Sequence, residues 1–358
     1  MDRIYIVTGG CGHLGNTIVK QLLALGQHVR ALCLPDESLT PLADCPAAEI
    51  YRGDVRDPAS LLPIFSHGAD QSLVVLHTAA LISIEAKVSP ALWAVNVGGV
   101  HNIVAACLQN PGTRLVHVSS VHALPEQPGR GVIRESDQFH APWVKGAYAK
   151  TKAEAAQYVL DAVRCRGLNA TLVLPAGILG PGDYGANNLN RTIRDCVSGR
   201  LHTLVVGGYD LIDVRDVAAA CIAAADKGAT GESYILSARH YDWREVAGIL
   251  ERNDPEVKVR HFLSPTALQP LAPFLELHAK VRKTQPLFTG YSLYCMRSND
   301  NFSSAKARRD LGLTTRPIED TLRETAAWEL KKHAIAVQAQ LAARAAHALR
   351  QKKVPVCG

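Results

Sequence analysis

Short apolar, β-branched runs alternate with amphipathic stretches through the first half of the chain. Ile4–Val7, Val29–Cys33, Glu49–Tyr51, Leu73–His77, Arg114–Val118 and Ala170–Leu174 read as strands. Between them Leu14, Ile18, Leu22 and Leu25 form a helical stripe, and residues 90–109 and 146–166 carry further helices. The run Leu73-Val74-Val75-Leu76 shows no polar alternation, as expected of a strand covered on both faces. Repeated βα units of this size predict an α/β fold, a doubly wound parallel sheet of the Rossmann type.

After Pro175 the pattern loosens. Residues 177–185 read as loop, Asn188–Gly199 as a helix, His202–Val206 as a short strand and Ser233–Ser237 as a strand returning to the sheet. Residues 241–330 read as mostly helical with two Pro-rich breaks. The expected division is a main domain over 1–174, rejoined by 210–237, and a smaller, mostly helical substrate lobe from 175–209 and 238–330. The last segment, 331–358, departs from both. Eight of the fifteen residues from Ala334 to Ala348 are Ala, and Leu330, Ala334, Val337, Leu341, Ala345 and Leu349 make one weak stripe.

Composition narrows the class. The 358 residues are 47% hydrophobic and 20% charged, which suits a protein with a sizeable core and excludes collagen-like, disordered and disulfide-scaffold readings. The longest apolar run, Val217 to Ala225, falls far short of the roughly 20 residues a bilayer requires, so no transmembrane segment is expected. The N-terminus enters a Gly-rich loop at once and carries no signal-peptide pattern. Nine scattered cysteines without a C-x-x-C point to reduced thiols in the cytoplasm. The net charge of +6 is carried by Lys331, Lys332, Arg344, Arg350, Lys352 and Lys353, with no acid after residue 330. The body therefore gives no electrostatic case for nucleic acid as a partner. The tail, lacking Trp or Phe after Trp328, reads as a solvated or self-associating helix rather than a membrane anchor.

Candidate chemistry begins at Thr8-Gly9-Gly10-Cys11-Gly12-His13-Leu14-Gly15, between the first strand and the first helix. That is the context of a dinucleotide fingerprint. Gly9 allows the tight turn, Gly12 lets the backbone approach a pyrophosphate, and Gly15 permits close helix–strand packing. The helix N-terminus then offers free N–H groups to the phosphates. Further along, Tyr148 and Lys152 are four apart on a helix and share one face. A free phenol is a poor acid or base at neutral pH, and a nearby ammonium favours its ionised form. Ser120 follows the fifth strand, at the carboxyl edge where open α/β sheets bind ligands. No metal site is expected.

The spacing T-G-x-x-G-x-x-G, with Tyr148, Lys152 and Ser120, resembles the extended branch of the short-chain dehydrogenase/reductase superfamily, the NAD-dependent epimerases and dehydratases. The resemblance covers about residues 1–330. It implies that Gly9, Cys11, Gly12, His13, Leu14 and Gly15 bind the cofactor, that Asp54 and Val55 of Gly53-Asp54-Val55 lie by the adenine, and that Thr78, Ala79 and Ala80 of His77-Thr78-Ala79-Ala80 line the dinucleotide. Asn96 of Asn96-Val97-Gly98-Gly99 supports the cofactor side of the site. Pro175, Gly177 and Ile178, in Leu174–Asp183, reach toward the nicotinamide. Asp213–Ala218, Pro286–Tyr291, Ser304–Arg308 and Pro317–Trp328 resemble later segments of the branch. By the same resemblance Tyr148 is the acid/base, Lys152 tunes it and holds ribose, and Ser120, preferred to Ser119, orients the substrate oxygen. A homodimer formed by the helices at 90–109 and 146–166 is implied.

Within the branch the chain is most similar to the 3β-hydroxysteroid dehydrogenase and dihydroflavonol reductase groups. Val121 and His122 follow Ser120 where sugar 4,6-dehydratases carry acids, and Ala123-Leu124-Pro125 replaces the V-Y-G of sugar epimerases. The implied reaction is hydride transfer between nicotinamide and a carbinol or ketone carbon, such as that of a hydroxysteroid or similar apolar alcohol. Two alternatives stand beside it: a nucleotide-sugar epimerase with tightly bound NAD, and a non-catalytic dinucleotide-binding redox sensor. Cys33 stands at the end of the second strand, where NAD-preferring members carry Asp, and Leu34 where NADP-preferring members carry Arg. Asp36 is a displaced acid that tips the reading weakly to NAD over NADP. Cys11 reads as a small tolerated residue rather than a redox switch. Arg191, Arg194 and Arg200 read as a solvated face rather than an anion site.

Overall fold

Strand β1 (Asp2–Thr8) is buried from Ile4 to Val7 on both faces because it lies in the middle of a sheet. It pairs in parallel with β2 (His28–Cys33) on one side and β4 (Gln71–His77) on the other. Beyond β2 lies β3 (Glu49–Arg52); beyond β4 lie β5 (Arg114–Val118), β6 (Ala170–Pro175) and β10 (Ser233–Leu236). The order β10-β6-β5-β4-β1-β2-β3 is parallel throughout, and the chain reverses direction across the sheet between β1 and β4. The structure is a computed structural model that describes residues 2–85, 87–185, 187–270, 274 and 289–351, with side chains to residue 335 in the last segment.

Helices cover the sheet. Helix α1 (His13–Ala24) pairs with α7 (Val214–Lys227) on one face, while α2 (Pro58–Phe65), α4 (Gly99–Gln109) and α5 (Ala147–Arg166) pack together on the other. The α5 start is fixed by Gly146, whose φ of +92° few other residues adopt, and its end by the left-handed Gly167. The expected helix at 90–109 is divided: α3 (Pro90–Trp93), a wide π turn over Ala94–Gly98, then α4. Pro90–Gln109 is the one described stretch long and apolar enough to cross a membrane, with a mean hydropathy of 1.5. It is 44% buried and lies on α2 and α5, the place of a core helix.

The smaller lobe has its own core around Ile193, Leu211, Trp243, Leu250 and Leu322. It combines α6 (Asn188–Val197) and α8 (Trp243–Asn253) with two small sheets. One holds β7 (Gly177–Leu179), β9 (Gly208–Asp213) and β11 (Arg239–Asp242); the other pairs β8 (Thr203–Val205) with β12 (His261–Leu263). Asp213 joins the two lobes. It caps α7 through the Arg215 N–H at 2.7 Å and accepts from the Thr321 hydroxyl at 2.7 Å, on the closing helix Ile318–Gln351. Arg316 adds a bond to Asp216 at 2.9 Å. Residues 286–288 of the late Pro286–Tyr291 segment, the side chains of the tail stripe from Val337 onward, and Cys357 lie outside the described residues.

Candidate active site

A cavity of about 840 Å³ opens at the carboxyl ends of β1, β4, β5 and β6, where the strand order reverses. This is the crevice in which open α/β sheets bind ligands. Of the residues expected from sequence, Gly9, Gly12, His13, Leu14, Gly15, Asp54, Val55, Thr78, Ala79, Ala80, Ser120, Tyr148, Lys152, Pro175, Gly177 and Ile178 all line it. Cys11 and Asn96 do not.

The glycine loop has the form a pyrophosphate needs. Gly9 has a φ of +68°, and a Cβ there would stand 3.0 Å from the Ala79 Cα. A Cβ on Gly15 would stand 2.0 Å from the Gly9 carbonyl oxygen, so the helix can approach the loop only without one. Gly12 caps α1 with no side-chain bond, and the first turn holds no acid, which leaves the helix N-terminus open to anions. His13 ties the loop to the far wall through the Pro181 carbonyl at 3.1 Å and Asn187 at 3.2 Å. Burial holds its imidazole below the usual range. A nicotinamide dinucleotide fits this cradle.

At the other end Tyr148, Ser120 and Lys152 converge. Ser120 stands beside the Tyr148 phenol and favours its ionised form, whereas the Ser119 hydroxyl turns to the Lys152 carbonyl at 3.5 Å. The Ser120 hydroxyl also accepts from the His122 N–H at 3.2 Å, and the His122 ring meets Tyr148 edge-on at 6.3 Å. Burial pushes the phenol up to about 12, against the lowering effect of Ser120. Lys152 Nζ donates to the Val118 carbonyl at 2.9 Å and lies 5.9 Å from the phenol ring centroid, so burial rather than the ammonium sets the direction of the phenol's shift. Burial brings Lys152 itself down to about 8.

Two expectations need correction. Asn96 sits behind the wall, on the π turn, 2% exposed. Its side chain accepts from Leu81 N at 2.8 Å and donates to the Leu81 carbonyl at 2.9 Å and the Thr151 hydroxyl at 3.1 Å. It therefore positions the Leu81 backbone and α5 rather than meeting a ligand. Cys11 turns its thiol away from the cavity toward Cys33. Burial raises its pKa, the opposite of what a helix N-terminus does to an accessible thiol.

Sequence reasoning did not find the apolar end of the cavity. Ile82, Trp143, Val144, Tyr209, Tyr291 and Phe302 line it, with Lys145, Glu126, Asp210 and Asp300. Tyr291 sits on the short helix Gly290–Cys295; the others come from loops, a single 3-10 turn and β9, which carried no motif. Tyr291 alone had a sequence signal, as the last residue of the Pro286–Tyr291 segment, and its ring packs where a Gly146 Cβ would stand, 2.2 Å away. Asp210 is buried on β9, accepts from the Ser237 hydroxyl at 2.8 Å and is pushed up to about 7 by burial. Beside Leu34 the acid on the cavity wall is Glu37, not Asp36. Arg30 points away to Glu49 and the Ile64 carbonyl. Arg191, Arg194 and Arg200 gather on Asp195 and do not line the cavity.

A model of the NAD dependent epimerase/dehydratase family matches residues 5–237. The chain is 33% identical over 328 residues to sterol demethylase protein B of Methylococcus capsulatus, spanning 90% of this chain and 97% of that protein. It is 27% identical over 327 residues to 3 beta-hydroxysteroid dehydrogenase/Delta 5-->4-isomerase of Mycobacterium tuberculosis, spanning 86% and 85%. Among solved structures, gox2253 superposes with a TM-score of 0.78 at 27% identity, covering 93% of this chain and 99% of that one. With the glycine cradle and the seven-stranded sheet, these matches show that the chain is an NAD(P)-dependent enzyme belonging to the NAD-dependent epimerase/dehydratase family, the extended short-chain dehydrogenase/reductases.

Proposed function

We propose that the enzyme moves hydride between nicotinamide and the carbinol or ketone carbon of an apolar, sterol-like alcohol, with Tyr148 as acid/base. The observation that carries this reading is the convergence of Tyr148, Ser120 and Lys152 on one cavity, facing a wall of Ile82, Trp143, Val144, Tyr209, Tyr291 and Phe302. Such a wall suits a flat hydrocarbon skeleton. The names of the two relatives, sterol demethylase protein B and a 3 beta-hydroxysteroid dehydrogenase, support the same class.

In the oxidising direction Tyr148 takes the proton from the substrate hydroxyl while Ser120 holds the oxygen. Lys152 lends positive charge to the phenol and holds the ribose. Asn96 keeps Leu81 and α5 in register with them. The bound dinucleotide supplies the hydride acceptor. Glu37 disfavours a 2′-phosphate beside Leu34, which supports NAD over NADP. A division at residue 174, a homodimer through the 90–109 and 146–166 helices, and a cytoplasmic location for the free thiols complete the reading.

The main rival is nucleotide-sugar epimerisation. Its substrate brings a diphosphate, yet the substrate end carries Glu126, Asp210 and Asp300 against Lys145. Following nicotinamide absorbance with NAD or NADP and a 3β-hydroxysteroid distinguishes them. Net reduction in wild type, lost in Tyr148→Phe, is expected. Binding of UDP-sugar without net reduction would move the enzyme to the epimerases.

A further inference from the structure

Two thiols at the adenosine end of the site touch. Cys11 lies in the phosphate loop and Cys33 ends β2, and their sulfurs are 3.2 Å apart. Both are buried, at 5% and 1% exposure. The Gly10 N–H donates to the Leu32 carbonyl at 3.0 Å, which fastens the loop to the strand just where the thiols meet. The Glu37 carboxylate lies within 4.8 Å of both sulfurs, so the trio also has the composition of a soft-metal site. Two zinc-bound thiolates with bonds of about 2.3 Å in tetrahedral geometry hold their sulfurs roughly 3.8 Å apart, wider than this pair. Glu37 is also engaged with the Leu34 N–H at 3.2 Å. A sulfur–sulfur bond of about 2.05 Å requires only that the sulfurs close by a little over 1 Å.

We propose that Cys11 and Cys33 form a reversible disulfide site at which hydroperoxides regulate dinucleotide binding. The proposal rests on the dinucleotide reading of the cavity. One thiol, as thiolate, attacks the O–O bond of a hydroperoxide, becoming a sulfenic acid as the alcohol leaves (water, for hydrogen peroxide). The second thiol displaces the sulfenic hydroxyl, which departs as water when the S–S bond forms. The two thiols lose two electrons and two protons; the peroxide gains them. A thiol reductant reverses the step by exchange.

The consequence follows from the neighbours. Cys11 precedes Gly12, and Cys33 lies between Leu32 and Leu34; all three neighbours line the cavity. Drawing the sulfurs together moves the phosphate loop against β2 by a distance that matters for a cradle of backbone N–H groups. Burial keeps both thiols above the ordinary thiol range, so oxidation is slow and answers to sustained rather than brief exposure.

The test exposes the intact protein to hydrogen peroxide, maps disulfides by mass spectrometry after alkylation, and measures the NAD dissociation constant before and after dithiothreitol. We expect a Cys11–Cys33 linkage and at least tenfold weaker NAD binding, both reversed by reductant. In Cys33→Ala, NAD affinity should not respond to peroxide; Cys165→Ser, at an exposed thiol, should respond as wild type does. Absence of the linkage overturns the proposal, as does a linkage with unchanged affinity or a loss that persists in Cys33→Ala. If reduced wild type binds neither NAD nor NADP, the dinucleotide reading fails instead.

Discussion

The Lys152 ammonium donates to the Val118 carbonyl, 2.9 Å away, and among the described residues no carboxylate pairs with it. Burial lowers it from 10.5 to about 8. Between those values the unfolded chain binds the extra proton, so this group adds stability as pH rises through the window and withdraws it as pH falls through about 8. The buried charge costs on the order of 3 kcal/mol at pH 7.

Lys152→Met is therefore expected to be more stable than wild type at pH 7 and to lose that advantage by about pH 10.5. Its turnover should fall about a hundredfold or more. Urea unfolding at the two pH values, beside steady-state rates, checks both. Equal stability at pH 7 would remove the burial account.

Gly15→Ala puts a methyl group 2.0 Å from the Gly9 carbonyl oxygen. The loop must move, and dinucleotide affinity should fall at least tenfold by isothermal calorimetry. Gly26→Ala, with open space around its Cβ but a φ of +70°, is the control. It should cost about 1 kcal/mol of stability and leave affinity alone.

Glu329, on the closing helix, is fully buried with no hydrogen-bond partner for either carboxylate oxygen among the described residues; Lys332 is 3.9 Å away. Its pKa is raised from 4.5 to about 7. A raised carboxyl gives its stability below the unfolded value and loses it as pH climbs through about 7. Glu329→Gln should stabilise the protein at pH 8 by roughly 1–3 kcal/mol and change little at pH 4.5. Melting temperatures at the two pH values decide; an equal shift at both would point to packing instead of charge.

Asn96→Leu strips the Leu81 N–H and carbonyl of their partners. A positioning role predicts a drop in kcat with a smaller change in cofactor affinity. Asn96→Asp keeps the acceptor for Leu81 N and should recover part of kcat. If both variants lose stability alone and keep wild-type kcat, Asn96 is only structural.

The sheet and the glycine loop were legible because each rests on local rules. A strand buried on both faces must read apolar, as Leu73–Leu76 does, and a phosphate turn must hold glycine where Gly9 and Gly15 stand. The meeting of Tyr148 and Lys152 was legible because they share a helix face whatever surrounds them. What surrounds them was not. That Lys152 would choose the Val118 carbonyl, and that burial would then govern both groups, depends on contacts across 34 residues. The π turn that swings Asn96 behind the wall leaves no mark in composition. β9 is only six residues long, too short for a period to show, and Ile82, Val144 and Phe302 lie outside helices and strands, so the wall they help build was missed.

The chain leaves the main sheet after β6, builds much of the smaller lobe, returns as β10, and leaves again for β11 and the closing helix. The smaller lobe is thus sewn into the sheet by several seams, with Asp213, Arg316 and Thr321 as knots. A single recombination point cannot exchange it for another. New substrate preferences in such a scaffold must arise by point changes on the wall, or by transplanting every seam at once.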